Sequence, residues 1–381
     1  MKKNIILSII LIIILFIFTG CDYSRGIDNQ YFITALGVDI EDGLLKISVQ
    51  NSSNSSGSSS SDDSSSSSQS SQYNVYSVQA KTIDEGINNL NNYLSKPINL
   101  THCSALIFSE EIAKKGIRTY INTLSNNTEL RNSCHVLISS STAYDVMNKV
   151  SNSGEVFSAR LYDYLSSTSN YTGFSINSTF GDMFQALDNE YLEPTSAYAL
   201  ISGDTVQSNG IAIFKDEFMV GHLSALDSIS HLIITNNLDN CIITTESPFQ
   251  SDEYIDLKIS LYKNTKINID MINNSPLISV KIYPEGTINS SGSTFNYLDN
   301  ENLRAVENTV NKYFEDSIKN YLYAISKTYN SDIAGFGWLY KSSFLTKDDF
   351  EKVHWDNVFS DSFFDVEVNS KVNSSNLFNE K

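Results

Sequence analysis

The chain lacks the short signatures that announce an enzyme. It has no Gly-x-Ser-x-Gly elbow, no His-Glu-x-x-His pair, no Walker loop and no Cys-x-x-Cys. Cysteine is scarce: four residues in 381 are too few and too dispersed for a disulfide framework. Basic residues are outnumbered, 26 against 44 acidic ones, for a formal net charge of −18. A surface so acidic excludes nucleic acid as a partner and excludes lying flat on anionic lipid, since both need positive charge. Long apolar runs are also missing, with one exception at the start.

There, Lys2 and Lys3 precede an apolar run over residues 5–18 interrupted only by Ser8, and Thr19-Gly20 place two small residues before Cys21. Fourteen residues fall short of the ~20 that a membrane span needs, but they suit a secretory signal. The cysteine at its end points to lipid attachment: a diacylglyceryl group on the Cys21 thiol, cleavage of residues 1–20, and acylation of the new amino terminus. Each buried CH₂ of the acyl chains contributes ~0.8 kcal/mol, so several chains hold a soluble body at a membrane. An uncleaved anchor is the competing reading, and its length disfavours it. Either way the rest of the chain lies outside the cytoplasm. Loss of Lys2 and Lys3 with the leader takes the net charge from −18 to −20 and leaves 361 residues, enough for two or three domains. The three other cysteines, Cys103, Cys134 and Cys241, read as small buried apolar residues; one pair could bridge in an oxidising compartment, and spacing does not choose which.

Residues 51–72 contain fifteen serines and no apolar side chain that could offset ordering entropy. The flanks decide whether this tract is a linker or a loop. Residues 31–40 and 44–49 read as strands joined by an Asp42-Gly43 hairpin turn, and residues 73–79 alternate again. Thr82-Ile83-Asp84-Glu85 is a capping box opening a helix to about residue 94. The tract is therefore expected as a long surface loop within one unit.

Alternation continues with strands at 103–108 and 136–138, and helices at 110–124 and 143–150. Residues 155–195 read as partly helical, ending at Glu193-Pro194, and a small hairpin is expected around Asp216. Beyond residue 254 three half-buried antiparallel strands are expected: Ile255 to Leu261, Ile267 to Met271 and Ile278 to Ile282 each alternate. A helix over residues 300–329 follows, with an apolar stripe of Leu303, Val306, Val310, Phe314, Ile318, Tyr321, Leu322 and Ile325. Phe364, Val366, Val368 and Val372 make a last strand. The fold class is α+β, with mixed and antiparallel sheets, packed helices, and a long helix backing the C-terminal sheet.

Candidate chemistry is thin. His102-Cys103 and Cys134-His135 offer four zinc-ligand types, but adjacent strand residues point to opposite faces, so each pair gives one ligand per face and no metal site is expected. His222, His231 and His354 lack partners at ligand spacing. Glu110-Glu111 fits a helix start better than acid–base work. Gly335-Phe336-Gly337 begins like a dinucleotide fingerprint, yet Tyr340 stands at the third glycine position, so a tight turn is expected. Trp338 and Trp355 either anchor a partner or pack beneath the last strand. No catalytic residue and no cofactor are expected, and a ligand-binding set is unassigned.

Several stretches, in order, resemble the C-subunit lipoproteins of bacterial spore nutrient germinant receptors, the Ger(x)C family. They are the segment from Ile33 through Gly37-Val38-Asp39, Thr82 through Ile87, Leu100 through Phe108, and Glu110 through Ile117. Gly210-Ile211-Ala212-Ile213-Phe214-Lys215 with Val220-Gly221-His222-Leu223 follows, then Asp332 through Gly337 and Trp355 through Phe359. The last two are the most specific. Relative to the family, an acidic residue after Asp22-Tyr23 is missing and the serine tract is far longer.

The resemblance implies three domains, placed at 21–195, 196–250 and 251–381. It further implies a non-catalytic assembly or signalling subunit on the outer face of the spore inner membrane, beside membrane-embedded A and B subunits. Carried over by residue, only Cys21 has a defined role, as the lipid attachment point. The alternative is a solute-binding lipoprotein of a transporter, which predicts two similar lobes around a cleft. An extracytoplasmic hydrolase is a third option, with no motif behind it.

Overall fold

The computed structural model describes residues 29–52, 73–152, 171–203, 205–291 and 299–373. Cys21 and most of the serine tract lie outside this set, as does much of the partly helical stretch expected from residue 155.

The first sheet has nine strands: β1 (Tyr31–Glu41), β2 (Leu44–Ser52), β3 (Tyr73–Ala80), β4 (Ile98–Asn99), β5 (Ala105–Ser109), β6 (His135–Ser139), β7 (Thr195–Ser202), β8 (Thr205–Lys215) and β9 (Phe218–Leu223). Their order is β3-β2-β1-β5-β6-β7-β8-β9, with β4 beside β1. Strands β1, β5, β6 and β7 run parallel, and antiparallel hairpins flank them. Asp42 and Gly43 both take positive φ, as the hairpin turn requires. Ser52 lies opposite Tyr73 in the β2–β3 ladder, so the serine tract joins two neighbouring strands of one unit. The central parallel strands β5 and β6 are buried at every position, the pattern of a sheet covered on both faces.

Among the described residues, helices α1 (Ile83–Tyr93), α2 (Glu110–Lys115), α3 (Arg118–Ser125), α4 (Ala143–Asn152) and α5 (Phe180–Leu187) cover this sheet. Helices α1, α2, α3 and α5 share one core with Leu36, Val38, Leu106, Phe108, Val136 and Ile138. The other face packs Ala143, Val146 and Met147 of α4 against Ala35, Ala105, Ile107, Leu137 and Ala197. The helix expected over 110–124 is two: Gly116 at φ 112° ends α2, and α3 restarts at Arg118.

The second sheet runs β10 (Cys241–Glu246), β11 (Tyr254–Ile272), β12 (Ser275–Ser291) and β13 (Phe363–Val368), with β14 (Lys371–Asn373) also on β12. Two of the expected strands, Ile255 to Leu261 and Ile267 to Met271, are one 19-residue strand. Register shifts between Leu261 and Lys266 absorb the polar interval without ending the ladder. Helix α6 (Ala225–Ile234) and the long α7 (Asn300–Tyr323) back this sheet. The α7 stripe is buried from Val306 to Leu322, with Leu303 half-buried, and a π-turn over Ala324–Thr328 extends it. Each fully buried Val, Ile or Phe there contributes about 1.5–3 kcal/mol.

Residues 196–250, expected as a small middle domain, divide between the sheets: β7, β8 and β9 complete the first, and β10 edges the second. Ile211, Ile213 and Leu223 of the first sheet sit in the same core as α6, α7 and the second sheet.

Candidate interaction site at the joint of the two sheets

Sequence motifs far apart in the chain meet where the sheets join. Leaving the π-turn, the chain lays Tyr329 and Ser331 on the β8–β9 hairpin. The Tyr329 hydroxyl donates to the His222 carbonyl at 3.1 Å and the Ser331 hydroxyl donates to the Phe214 carbonyl. Next comes Asp332, 5% exposed, whose carboxylate collects three donors: the Phe336 amide at 3.0 Å, the Gly337 amide at 2.6 Å and Trp355 Nε1 at 2.9 Å. Gly335, at φ 73°, supplies the turn that aims those amides at the carboxylate as α8 (Phe336–Lys341) begins. A Cβ on Gly337 would stand 2.6 Å from Trp355 Cδ1, so only glycine lets the indole approach. The ring then packs among Tyr340 and Phe359, between the short helices α9 (Lys347–Glu351) and α10 (Trp355–Val358) and the rest of the core. Burial pushes the Asp332 carboxyl up to about 6 against the pull of its three donors.

Charges ring this knot. Lys215 at the end of β8 pairs with Glu193 at 2.7 Å and reaches Asp356 at 3.5 Å, and the Asp216 amide donates to Glu193 at 2.6 Å. Arg118 clamps Glu217 at 2.9 Å and the Leu187 carbonyl at 2.6 Å. Between them lies a polar cavity of about 280 Å³, walled by Arg118, Asp188, Glu190, Asp216 and Asp356. A second, of about 470 Å³, has His231 in its wall. The His231 ring shares a 2.8 Å hydrogen bond with the Tyr321 hydroxyl, and burial lowers its pKa to about 4, so it is neutral at physiological pH. What the arrangement does is lock the two sheets together.

The other residues singled out in the sequence are dispersed. Cys21 lies outside the described residues. His102 packs against Phe32 with ring centroids 4.6 Å apart and the planes tilted by 43°, and His135 is buried. Cys103 and Cys134 are buried and their sulfurs lie 4.0 Å apart, while Cys241 is buried in the other core. Among the described residues no group of three or more His, Cys, Asp or Glu could hold a metal ion. His222 stacks on Tyr198. Glu110 forms an ion pair with Lys114 and accepts from the Tyr198 hydroxyl, and Glu111 pairs with Lys115, so both carboxylates are occupied at the start of α2. Gly335 and Gly337 form the expected turn. The tryptophans part company: Trp355 is 4% exposed and packed, Trp338 is 56% exposed.

Two acids that the sequence placed in family-like motifs, without a role of their own, prove to be buried and bonded. Asp332 is one. The other is Asp39, 1% exposed, which accepts from the Ala143 amide at 2.7 Å and the Tyr144 amide at 3.0 Å and so caps α4 across 104 positions of sequence. Gly37 beside it leaves room for Ala143 and Met147, which a Cβ would meet at 2.9 and 2.5 Å. An Asp within an apolar strand was the available signal, since a lone buried acid needs donors.

Two family models match in tandem: "Spore germination protein N-terminal domain" over residues 23–199 and "Spore germination B3/ GerAC like, C-terminal" over residues 209–376. Among curated relatives, the putative spore germination protein YfkR of Bacillus subtilis is 22% identical over 366 residues, covering 95% of this chain and 94% of its own. Spore germination protein KC of the same organism is 21% identical, covering 88% and 87%. The crystal structure of the GerBC protein superposes with a TM-score of 0.59 at 17% identity, covering 88% of this chain and 96% of its own, a likeness of fold. No helix among the described residues is long and apolar enough to cross a membrane. With both of its domain models matched in order across nearly the whole length, the chain belongs to the Ger(x)C family of spore germination proteins, the C subunits of germinant receptors.

Proposed function

We propose that this chain is the lipid-anchored, non-catalytic C subunit of a spore nutrient germinant receptor, tethered through Cys21 to the outer face of the spore inner membrane. There it would work beside the A and B membrane subunits. The tandem family match carries the reading. The placement of the family-like motifs supports it: Phe214 accepts from Ser331 where the sheets join, Asp332, Gly337 and Trp355 brace the segment that follows, and Gly37 and Asp39 seat α4. Such a body suits presenting a fixed surface to partners. The solute-binding alternative requires two similar lobes. A nine-stranded sheet covered on both faces and a five-stranded sheet backed by a long helix are unlike in strand number and order, which favours the receptor reading.

The tether also orients the body. Strand β1 begins at Tyr31, ten residues after Cys21, a reach of at most roughly 35 Å. The start of β1, the end of β2, the start of β3 and the turns before β5 and β6 share one end of the first sheet, which would face the membrane. Replacing Cys21 with Ala in the spore tests the proposal. The protein is expected to leave the membrane fraction and the response to nutrients to fall. Wild-type nutrient response from an unlipidated protein would refute the anchoring role.

A further inference from the structure

Cys103 and Cys134 lie on the turns that lead into two adjacent parallel strands, β5 and β6. Ala105 of β5 is opposite His135 of β6; Cys103 lies two residues before Ala105 and Cys134 one before His135, on turns closed by the bonds from the Cys103 amide to the Leu100 carbonyl (2.9 Å) and from the Cys134 amide to the Arg131 carbonyl (3.0 Å). The bond from the His135 amide to the Ser104 carbonyl, at 2.9 Å, ties the turns to each other. Both thiols point into the core shared by α1, α2, α3 and α5, at 3% and 1% exposure, with their sulfurs 4.0 Å apart. Cys241 belongs to the separate core of the second sheet and is out of reach. A disulfide needs its sulfurs at about 2.05 Å, so closing the 4.0 Å gap requires each to move by roughly 1 Å.

We propose that Cys103 and Cys134 are a structural disulfide site, closed as the exported chain folds. The inference rests on the extracytoplasmic placement above, where disulfides form and persist. In the step, one thiol loses its proton and attacks a disulfide-bearing oxidant, either a thiol–disulfide oxidoreductase or a small-molecule disulfide. The mixed disulfide is then displaced by the second cysteine. Two protons leave, and two electrons pass to the oxidant, which departs as two thiols. The hydrogen bond to its neighbour Cys103, together with burial, holds the Cys134 thiol protonated once the core has closed. Oxidation therefore belongs to the folding chain, and the finished core then shields the bond from reductants. The closed loop contains α2 and α3, the helices that pack beneath the Gly116 break.

The test uses the full chain. Protein taken from the membrane fraction is alkylated in denaturant without reductant and mapped by mass spectrometry. The expected result is one linked pair of peptides carrying Cys103 and Cys134, with Cys241 alkylated. In parallel, intact cells are treated with a membrane-impermeant amine reagent, and the purified chain is refolded in detergent with oxidised and reduced glutathione. Reductant should lower the unfolding midpoint of the oxidised wild type by several degrees, leave the C103A/C134A double variant unmoved, and still act on C241A. Free Cys103 and Cys134 in a chain labelled from outside overturn the proposal. If the chain is not labelled from outside, the placement fails instead and the refolding arm decides: selective Cys103–Cys134 pairing supports the site, and scrambled or absent pairing overturns it.

Discussion

Replacing Gly337 with Ala tests whether the close approach of Trp355 to the Asp332 turn stabilises the fold. The new Cβ would sit 2.6 Å from both Cδ1 and Nε1 of Trp355, where carbon atoms prefer about 3.5–4.0 Å. The indole must retreat by roughly 1 Å, which carries Nε1 beyond bonding distance of the Asp332 carboxylate, now 2.9 Å away. A hydrogen bond to a charged group contributes about 1.5–3 kcal/mol, and overpacking costs about 1–3. Alanine recovers up to about 1 kcal/mol of helix propensity at this position in α8. The net expectation is a loss of about 2–5 kcal/mol, read by urea unfolding followed with far-UV circular dichroism. In a Trp355→Ala background the clash and the bond are both gone, so Gly337→Ala should be neutral or stabilise by up to about 1 kcal/mol. An equal loss in both backgrounds would refute the argument.

Asp332 should leave a signature in the pH dependence of stability. Its carboxyl moves from the ordinary 3.8 to about 6 on folding, so the folded chain binds that proton more tightly than the unfolded one. The stability it contributes is full below about pH 4 and is lost as pH rises through 6, a change on the order of 3 kcal/mol. Asp332→Asn cannot titrate, so the difference in unfolding free energy between wild type and variant should shrink by about that amount from pH 4 to pH 7; a constant difference across denaturation curves in that range would contradict it. Replacing residues 53–72 with Asn-Gly should leave the fold intact and raise stability by up to about 2 kcal/mol, because a tenfold shorter loop then closes a ladder already paired at Ser52 and Tyr73. A lowered unfolding midpoint in the shortened chain would show that the tract contributes contacts of its own.

Much of the fold was legible because it depends on local pattern. Period-two alternation located β2, β3 and β12; the Asp42-Gly43 turn fixed the first hairpin; and Thr82, whose hydroxyl accepts from the Glu85 amide, started α1 where expected. The α7 stripe was right nearly residue for residue, because a helix that buries one face must repeat every three to four positions. Errors arose where one residue type serves two ends. Gly116 was passed over inside an otherwise helical run, yet its positive φ ends α2. The polar interval after Leu261 resembled a turn, but the facing strand β12 continues past it, and shifts in pairing register let the shorter run of partners keep pace.

The joint was illegible for a different reason: its chemistry is set by distance in space, not in sequence. Asp332 looks like any surface acid until Trp355, 23 positions later, and the Phe336 and Gly337 amides converge on it. Asp39 looks like the polar end of a strand until the amides of Ala143 and Tyr144 arrive from more than a hundred residues away. Burying either carboxylate without those donors would cost several kcal/mol, so each acid is tolerable only in the assembled fold. Substitution at one of these acids should therefore resemble substitution at its distant donors, and Asp332→Asn and Trp355→Phe should be less than additive when combined. The same dependence runs through the motifs that carry the family resemblance. Gly37, Asp39, Phe214, Asp332, Gly337 and Trp355 are places where the chain meets itself, and each is fixed by a contact that exists only once the fold has closed.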